Sequence, residues 1–226
     1  MVIYIKKKYI LVILLSLVFS CKEEKKDKYK NLSSTEYFSI ATNLKNLKNI
    51  EKHKINDSLY KVKGLFNNYI INGYVNKNNV RISWWSVSDI NTKDLLAKLD
   101  YKLIENKEFV NQFILFKKGK IDTLNSKFYK FSKTRNSAKY KFYMPIQTDE
   151  IRSEGKLNYR YFFRGKIKKH LECIGIKNKN IFNCEFQIPK GSYPNDLIIQ
   201  GNFWEMFQLK NGNIGQNDIY ISDTLK

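Results

Sequence analysis

Two histidines and three cysteines in 226 residues leave little from which to build a metal centre or a histidine-based catalytic site. His53 lies within Glu51-Lys52-His53-Lys54 and His170 follows Lys168-Lys169. Both sit beside like charge, a poor setting for a general base. No group of Cys, His and carboxylates has zinc-ligand spacing, so neither a metal nor another cofactor is expected. The chain also lacks a G-x-S-x-G elbow, an H-E-x-x-H helix, a Walker lysine loop and a dinucleotide glycine fingerprint. Only five of the 41 basic residues are arginine, namely Arg81, Arg135, Arg152, Arg160 and Arg164. The bidentate fork that suits phosphates and base edges is therefore scarce, and nucleic acid is not an expected partner. A long hydrophobic run is missing too. Tyr9 to Phe19 falls short of the roughly 20 apolar residues that a spanning helix needs.

What is present is lysine, asparagine, isoleucine and aromatic side chains. Hydrophobic residues make up 42% of the chain, enough to fill a core, so disorder throughout is excluded. The formal net charge is +20, and losing Lys6, Lys7 and Lys8 with residues 1–20 lowers it only to +17. That excess implies salt-dependent attraction to acidic headgroups or other polyanions.

Lys6-Lys7-Lys8 followed by the apolar stretch ending Leu17-Val18-Phe19-Ser20-Cys21 has the layout of a secretory signal. In place of a small-x-small cleavage site it runs into a cysteine, and in this it resembles the lipobox of bacterial lipoproteins. The resemblance covers Lys6 to Cys21. It implies removal of residues 1–20, attachment of diacylglycerol to the Cys21 sulfur, acylation of the new amino terminus and a membrane tether. A single chain binds marginally, whereas two or three hold a protein to the bilayer. Residues 21–32 are read as a charged tether. Lys22-Glu23-Glu24 at its start is similar to acidic signals that send some lipoproteins to the outer face of the outer membrane, so the expected location is the outer membrane, on its periplasmic or its outer face.

Ser33 and Glu36 fit a capping box, and Tyr37, Ile40, Ala41, Leu44, Leu47 and Ile50 recur at helical steps. One amphipathic helix through Ile50 is predicted, with Tyr37-Phe38-Ser39-Ile40 as the start of a strand the alternative. From Ser58 the period becomes two, with strands expected at Ser58–Leu65, Tyr69–Val75, Val80–Ser88, Leu96–Ile104, Phe109–Phe116 and Leu124–Phe131. Residues 33–132 are thus read as a helix plus an antiparallel meander. The polar run 133–137 is a boundary, and residues 138–226 are read as a small β-sandwich. The fold class is mainly β, an antiparallel β meander followed by a small β-sandwich with one short N-terminal helix. Within 72–129, Trp84-Trp85-Ser86-Val87 and Gln112-Phe113-Ile114-Leu115-Phe116 each precede a second strand. This stretch is similar to the hairpin repeats of YwqK-like antitoxin and MORN-type proteins, which implies a flat meander that displays a face to a partner.

In the second half, Leu171–Ile176 and Ile181–Ile188 flank Lys177-Asn178-Lys179-Asn180 as a hairpin. Pairing Ile176 with Ile181 sets Cys173 opposite Cys184, which predicts a cross-strand disulfide, with two buried free thiols as the alternative. Further strands are expected at Leu197–Gln200, Phe203–Leu209 and Asp218–Ser222.

Aromatic residues account for 15% of the chain, and Trp84, Trp85, Trp204, Phe203 and Phe207 are candidate platforms for sugar rings or peptide side chains. Trp84 and Trp85 must face opposite sides of one strand, so one of them lies outside the core. Asp149, Glu150, Glu154, Glu172 and Glu185 have the residue type for carboxylate-dependent hydrolysis, but sequence says nothing of the separation such chemistry needs. The leading expectation is a lipid-anchored exported protein with a non-catalytic binding or scaffold role toward a protein or glycan. An immunity or inhibitor protein, suggested by the antitoxin-like repeat, and a carboxylate hydrolase are the alternatives.

Overall fold

The computed structural model describes residues 32–134, 136–163, 166–188 and 197–225, without the side chains of 163–169. Cys21 and its signal, most of the tether, Arg135 and Arg164 lie outside the described residues.

The capping box forms as expected. The Ser33 backbone N–H and hydroxyl donate to Glu36 Oε2 at 2.9 and 2.8 Å, and the Glu36 N–H donates to Ser33 Oγ at 3.3 Å. Helix α1 (Ser34–Ala41) follows, but it stops before Leu44. The Thr42 hydroxyl donates back to the Phe38 and Ser39 carbonyls, and Asn43 leaves helical space at φ −72°, ψ 123° to cap a 3-10 turn at Leu44–Asn46. Leu47 is buried by tertiary contact, while Ile50 belongs to strand β1 (Lys48–Lys54), which the helical reading had hidden. Every residue of β1 is exposed, so no alternation marks it, and its lysines guard the sheet edge.

Strands β2 (Leu59–Phe66), β3 (Tyr69–Asn76), β4 (Arg81–Asp89), β5 (Leu95–Ile104), β6 (Lys107–Lys117) and β7 (Lys120–Ile121) join β1 in one antiparallel sheet in simple sequence order. One face buries Val62, Phe66, Ile71, Val75, Trp85, Val87, Leu99 and Tyr101. Gly73 is required there, because a Cβ at that position would lie 2.0 Å from the Trp85 ring. The indole lies against the β3 backbone instead and donates to the Tyr74 carbonyl at 3.0 Å. Arg81 ties residues after the helix start to this sheet. Its guanidinium pairs with Glu108 at 2.8 Å and donates to Ser39 O, Thr42 Oγ1 and the Tyr101 hydroxyl.

Two four-stranded sheets follow. One runs β11 (Lys166–Ile174), β10 (Glu150–Phe163), β14 (Leu197–Leu209), β15 (Ile214–Leu225). The other runs β12 (Ile176–Asn178), β13 (Ile181–Gln187), β9 (Ser137–Tyr143), β8 (Phe128–Lys133). Stacked rings join them, with centroids 4.0 Å apart for Phe142–Phe203 and for Tyr159–Phe186. This is the meander followed by a sandwich that the period predicts. Three local readings change. The polar run 133–137 lies inside the β8–β9 hairpin, with Lys133 ending β8, Ser137 starting β9 and the Thr134 N–H donating to Ser137 O at 2.8 Å, so the sandwich begins at Phe128. The strands expected on either side of Gly201-Asn202 are one strand, β14, paired with β10 and β15 along its length. The third change concerns the cysteines. Asn178 pairs with Ile181 and Ile176 with Asn183, so the hairpin register is shifted from the expected one. At Gly175, whose N–H donates to Gly155 O at 2.8 Å, the chain leaves one sheet for the other. Cys173 therefore sits on β11 and Cys184 on β13, in different sheets, and both thiols are free.

Meander and sandwich belong to the same unit, which covers residues 38–226. Phe113 and Lys127 exchange backbone hydrogen bonds at 2.8 and 2.9 Å. Asn111, fully buried, donates to the Tyr220 carbonyl at 3.0 Å and accepts from the Tyr220 N–H at 2.7 Å, taking the place of a neighbouring strand along the β15 edge. No helix among the described residues is long and apolar enough to cross a membrane.

Candidate functional site

Alternation along β10, β11, β14 and β15 turns apolar side chains toward the core and polar ones outward, and on this sheet the outward set is unusually rich in amides. The register lines up Glu172, Asn158, Asn202 and Tyr220 in one row across the four strands. His170, Arg160 and Gln200 form the next row. Neighbouring strands lie about 4.8 Å apart, so each row is a ladder of hydrogen-bonding groups at near-regular spacing. A groove of about 780 Å³ runs over these rows.

Its polar groups are only partly committed. Asn202 Nδ2 donates to Asp218 Oδ1 at 3.1 Å, and Gln216 secures the other Asp218 oxygen at 2.9 Å. Asn202 Oδ1, in contrast, is a buried acceptor with no hydrogen-bond partner among the described residues. A buried unpaired acceptor costs about 1–3 kcal/mol, which an incoming donor recovers where the side chain turns to meet it. Arg160 lies over the Phe162 ring at 4.7 Å and Lys156 pairs with Glu172 at 3.0 Å. Trp204, half-buried, projects from the same face two residues beyond Asn202, in register with Lys156 and Asp218.

The three tryptophans thus separate. Trp85 is fully buried and packs edge-on to Tyr101, so it is no platform. Trp84, half-buried, faces the opposite side of the meander, as alternation requires. Trp204 alone of the three adjoins the amide rows. Phe203 is fully buried in the sandwich core, and Phe207 packs over Gly215, where a Cβ would lie 2.3 Å from its ring.

The carboxylates weighed for hydrolysis are mostly dispersed. Glu172 pairs with Lys156, Glu185 with Lys139 at 3.3 Å and Asp149 with Lys210 at 3.7 Å, while Glu154 is exposed. Glu150 is the exception. Lys177 joins it to Ser153 and to Glu205, whose nearer oxygen is 3.7 Å from the ammonium. Glu205 is only 1% exposed, and burial raises its pKa, with the Glu150 charge adding to the rise against the Asn217 amide at 2.9 Å and Lys177. The ammonium already contacts both carboxylates, which makes the set an internal ion cluster at the end of the sandwich. Sequence reasoning missed Glu205. The signal was available: Leu197, Ile199 and Phe203 share its parity, so a glutamate there is a charge on an apolar face.

His53 is exposed on β1 and His170 on the groove rim. No group of three or more His, Cys, Asp or Glu among the described residues can hold a metal ion. Comparison with known protein families, with curated proteins and with solved structures finds no match to this chain.

Proposed function

We propose that this chain is a lipid-anchored protein of the bacterial outer membrane that binds a hydroxyl-rich glycan on the outward face of the sandwich sheet β11–β10–β14–β15 and carries out no reaction. The anchoring part rests on Lys6-Lys7-Lys8, the apolar run and Cys21. The observation that carries the binding part is the unpaired buried Asn202 Oδ1, set among Asn158, Gln200 and Arg160 with Trp204 on the same face. Amide and guanidinium groups bind vicinal hydroxyls through paired donors and acceptors, and an indole offers its face to the C–H side of a sugar ring.

The test is affinity electrophoresis of the chain from residue 21 onward in gels containing soluble neutral envelope polysaccharides. The expected result is retardation that Trp204→Ala and Asn202→Ala each weaken about tenfold, the effect of roughly 1.4 kcal/mol. Trp84→Ala, on the meander, leaves retardation unchanged. Equal retardation of all three variants, or none of the wild type, rejects the groove. Anchoring is read separately: metabolic labelling with palmitate should mark the wild type and fail with Cys21→Ala.

A further inference from the structure

Cys173 and Cys184 lie on strands of different sheets, yet the chain passes from β11 to β12 at Gly175 and the two residues lie side by side. The Cys184 thiol donates to the Cys173 carbonyl at 3.5 Å, and the Cys173 thiol faces the Glu185 carbonyl at 3.9 Å. Each sulfur thus lies against the backbone of the other's strand. Cys184 is fully buried, whereas Cys173 is half-buried and reachable from solvent.

We propose that this pair is a thiol–disulfide exchange site that takes a small-molecule disulfide as oxidant and closes into a bridge between the two sheets, Cys173 attacking and Cys184 resolving. The geometry divides the roles: an attacking sulfur must be accessible, and a resolving sulfur must be held beside it. Electrostatics agree. The hydrogen bond from Cys184 holds the Cys173 thiol down to about 7, aided by the Glu185 backbone contact and opposed by burial. The same contact, with burial, pushes Cys184 up. The other titratable group facing the pair is the Tyr159 hydroxyl, itself pushed up by burial. Glu172 and Glu185, next to the cysteines in sequence, alternate to the opposite faces, where Lys156 and Lys139 hold them.

In the first step the Cys173 thiolate attacks one sulfur of the small disulfide, forming a mixed disulfide and expelling the other half as a thiolate. Cys184 then loses its proton to solvent and attacks the Cys173 sulfur, expelling the second half. Two protein thiols are oxidised, one small disulfide is reduced to two thiols, and the two protein protons end on the products. The site is independent of the glycan groove, which lies on the outward side of β11.

The experiment uses the mature chain with Cys21→Ala, so that two thiols remain. After reduction and exposure to oxidised glutathione, peptide mapping should find one bridge, Cys173 to Cys184. Cys184→Ala should retain glutathione on Cys173, while Cys173→Ala should take up none until it is unfolded. Alkylation of wild-type Cys173 by iodoacetamide should show a midpoint near pH 7, moving up in Cys184→Ala. A wild-type midpoint at the ordinary thiol value of 9, or no bridge under conditions that oxidise the unfolded chain, overturns the proposal. The wild-type profile decides the matter even where the alanine variants fail to fold.

Discussion

Arg81 shows how much one side chain organises. Its guanidinium stacks on Tyr101 at 4.1 Å, pairs with Glu108 and closes on groups contributed by Ser39 and Thr42. Breaking a buried ion pair by deleting one partner costs about 3–5 kcal/mol, and partial exposure of Glu108 places this case at the low end. Arg81→Ala should therefore lose about 3 kcal/mol in urea unfolding. Lysine at this site keeps the charge but not the fork, so it should recover only part of the loss. Glu205 gives a pH prediction. Its folded pKa lies above the ordinary 4.5, so the folded state holds a proton that the unfolded chain gives up. The stability associated with that proton is full below pH 4.5 and is lost as pH rises through the folded value. Glu205→Gln keeps the shape without the charge. Its urea midpoint should gain on the wild type as pH rises above about 4.5, and a pH-independent difference would contradict this reading.

At the scale of elements, exposed edges are what this fold has to manage. Strand β1 does so with a charged, fully exposed sequence. Strand β15 instead lends its Tyr220 backbone to the Asn111 amide, while Lys127 donates to the Asp218 carbonyl at 2.9 Å. Burial lowers the Lys127 pKa to about 8, with Asp218 opposing, so this ammonium is bound at a cost that its backbone partner offsets. Asn111→Ala leaves the Tyr220 N–H unpaired and should cost about 1–3 kcal/mol, read by chemical denaturation. Asn111→Asp should cost more, because its second oxygen replaces the amide that donates to both Asp100 and the Tyr220 carbonyl. The end of α1 and the identity of β1 were illegible in sequence for a related reason. Leu44, Leu47 and Ile50 keep helical spacing, and only the side-chain bonds of Thr42 and Asn43 redirect the backbone.

For the whole molecule, the hydrogen bonds between β6, β8 and β15 predict that meander and sandwich unfold as one. Trp204→Phe confines the tryptophan signal to Trp84 and Trp85 in the meander. Pulsed alkylation of Cys184 reports on the sandwich, since that thiol is buried in its core. The two urea transitions should coincide, and separated midpoints would show that the joint is weaker than the sheets it connects. What the sequence determined by itself was what depends on near neighbours: the Ser33–Glu36 cap, the period-two strands and the meander-then-sandwich fold class. The opposite faces of Trp84 and Trp85 followed from the same local geometry. Only the tertiary structure decided which strands meet. It shifted the hairpin register at Gly175, brought Cys173 beside Cys184 across two sheets, hid Glu205 next to Glu150 and assembled the amide rows from four separate strands. These placements come from packing distant segments against one another, and no spacing along the chain encodes the partner of a strand.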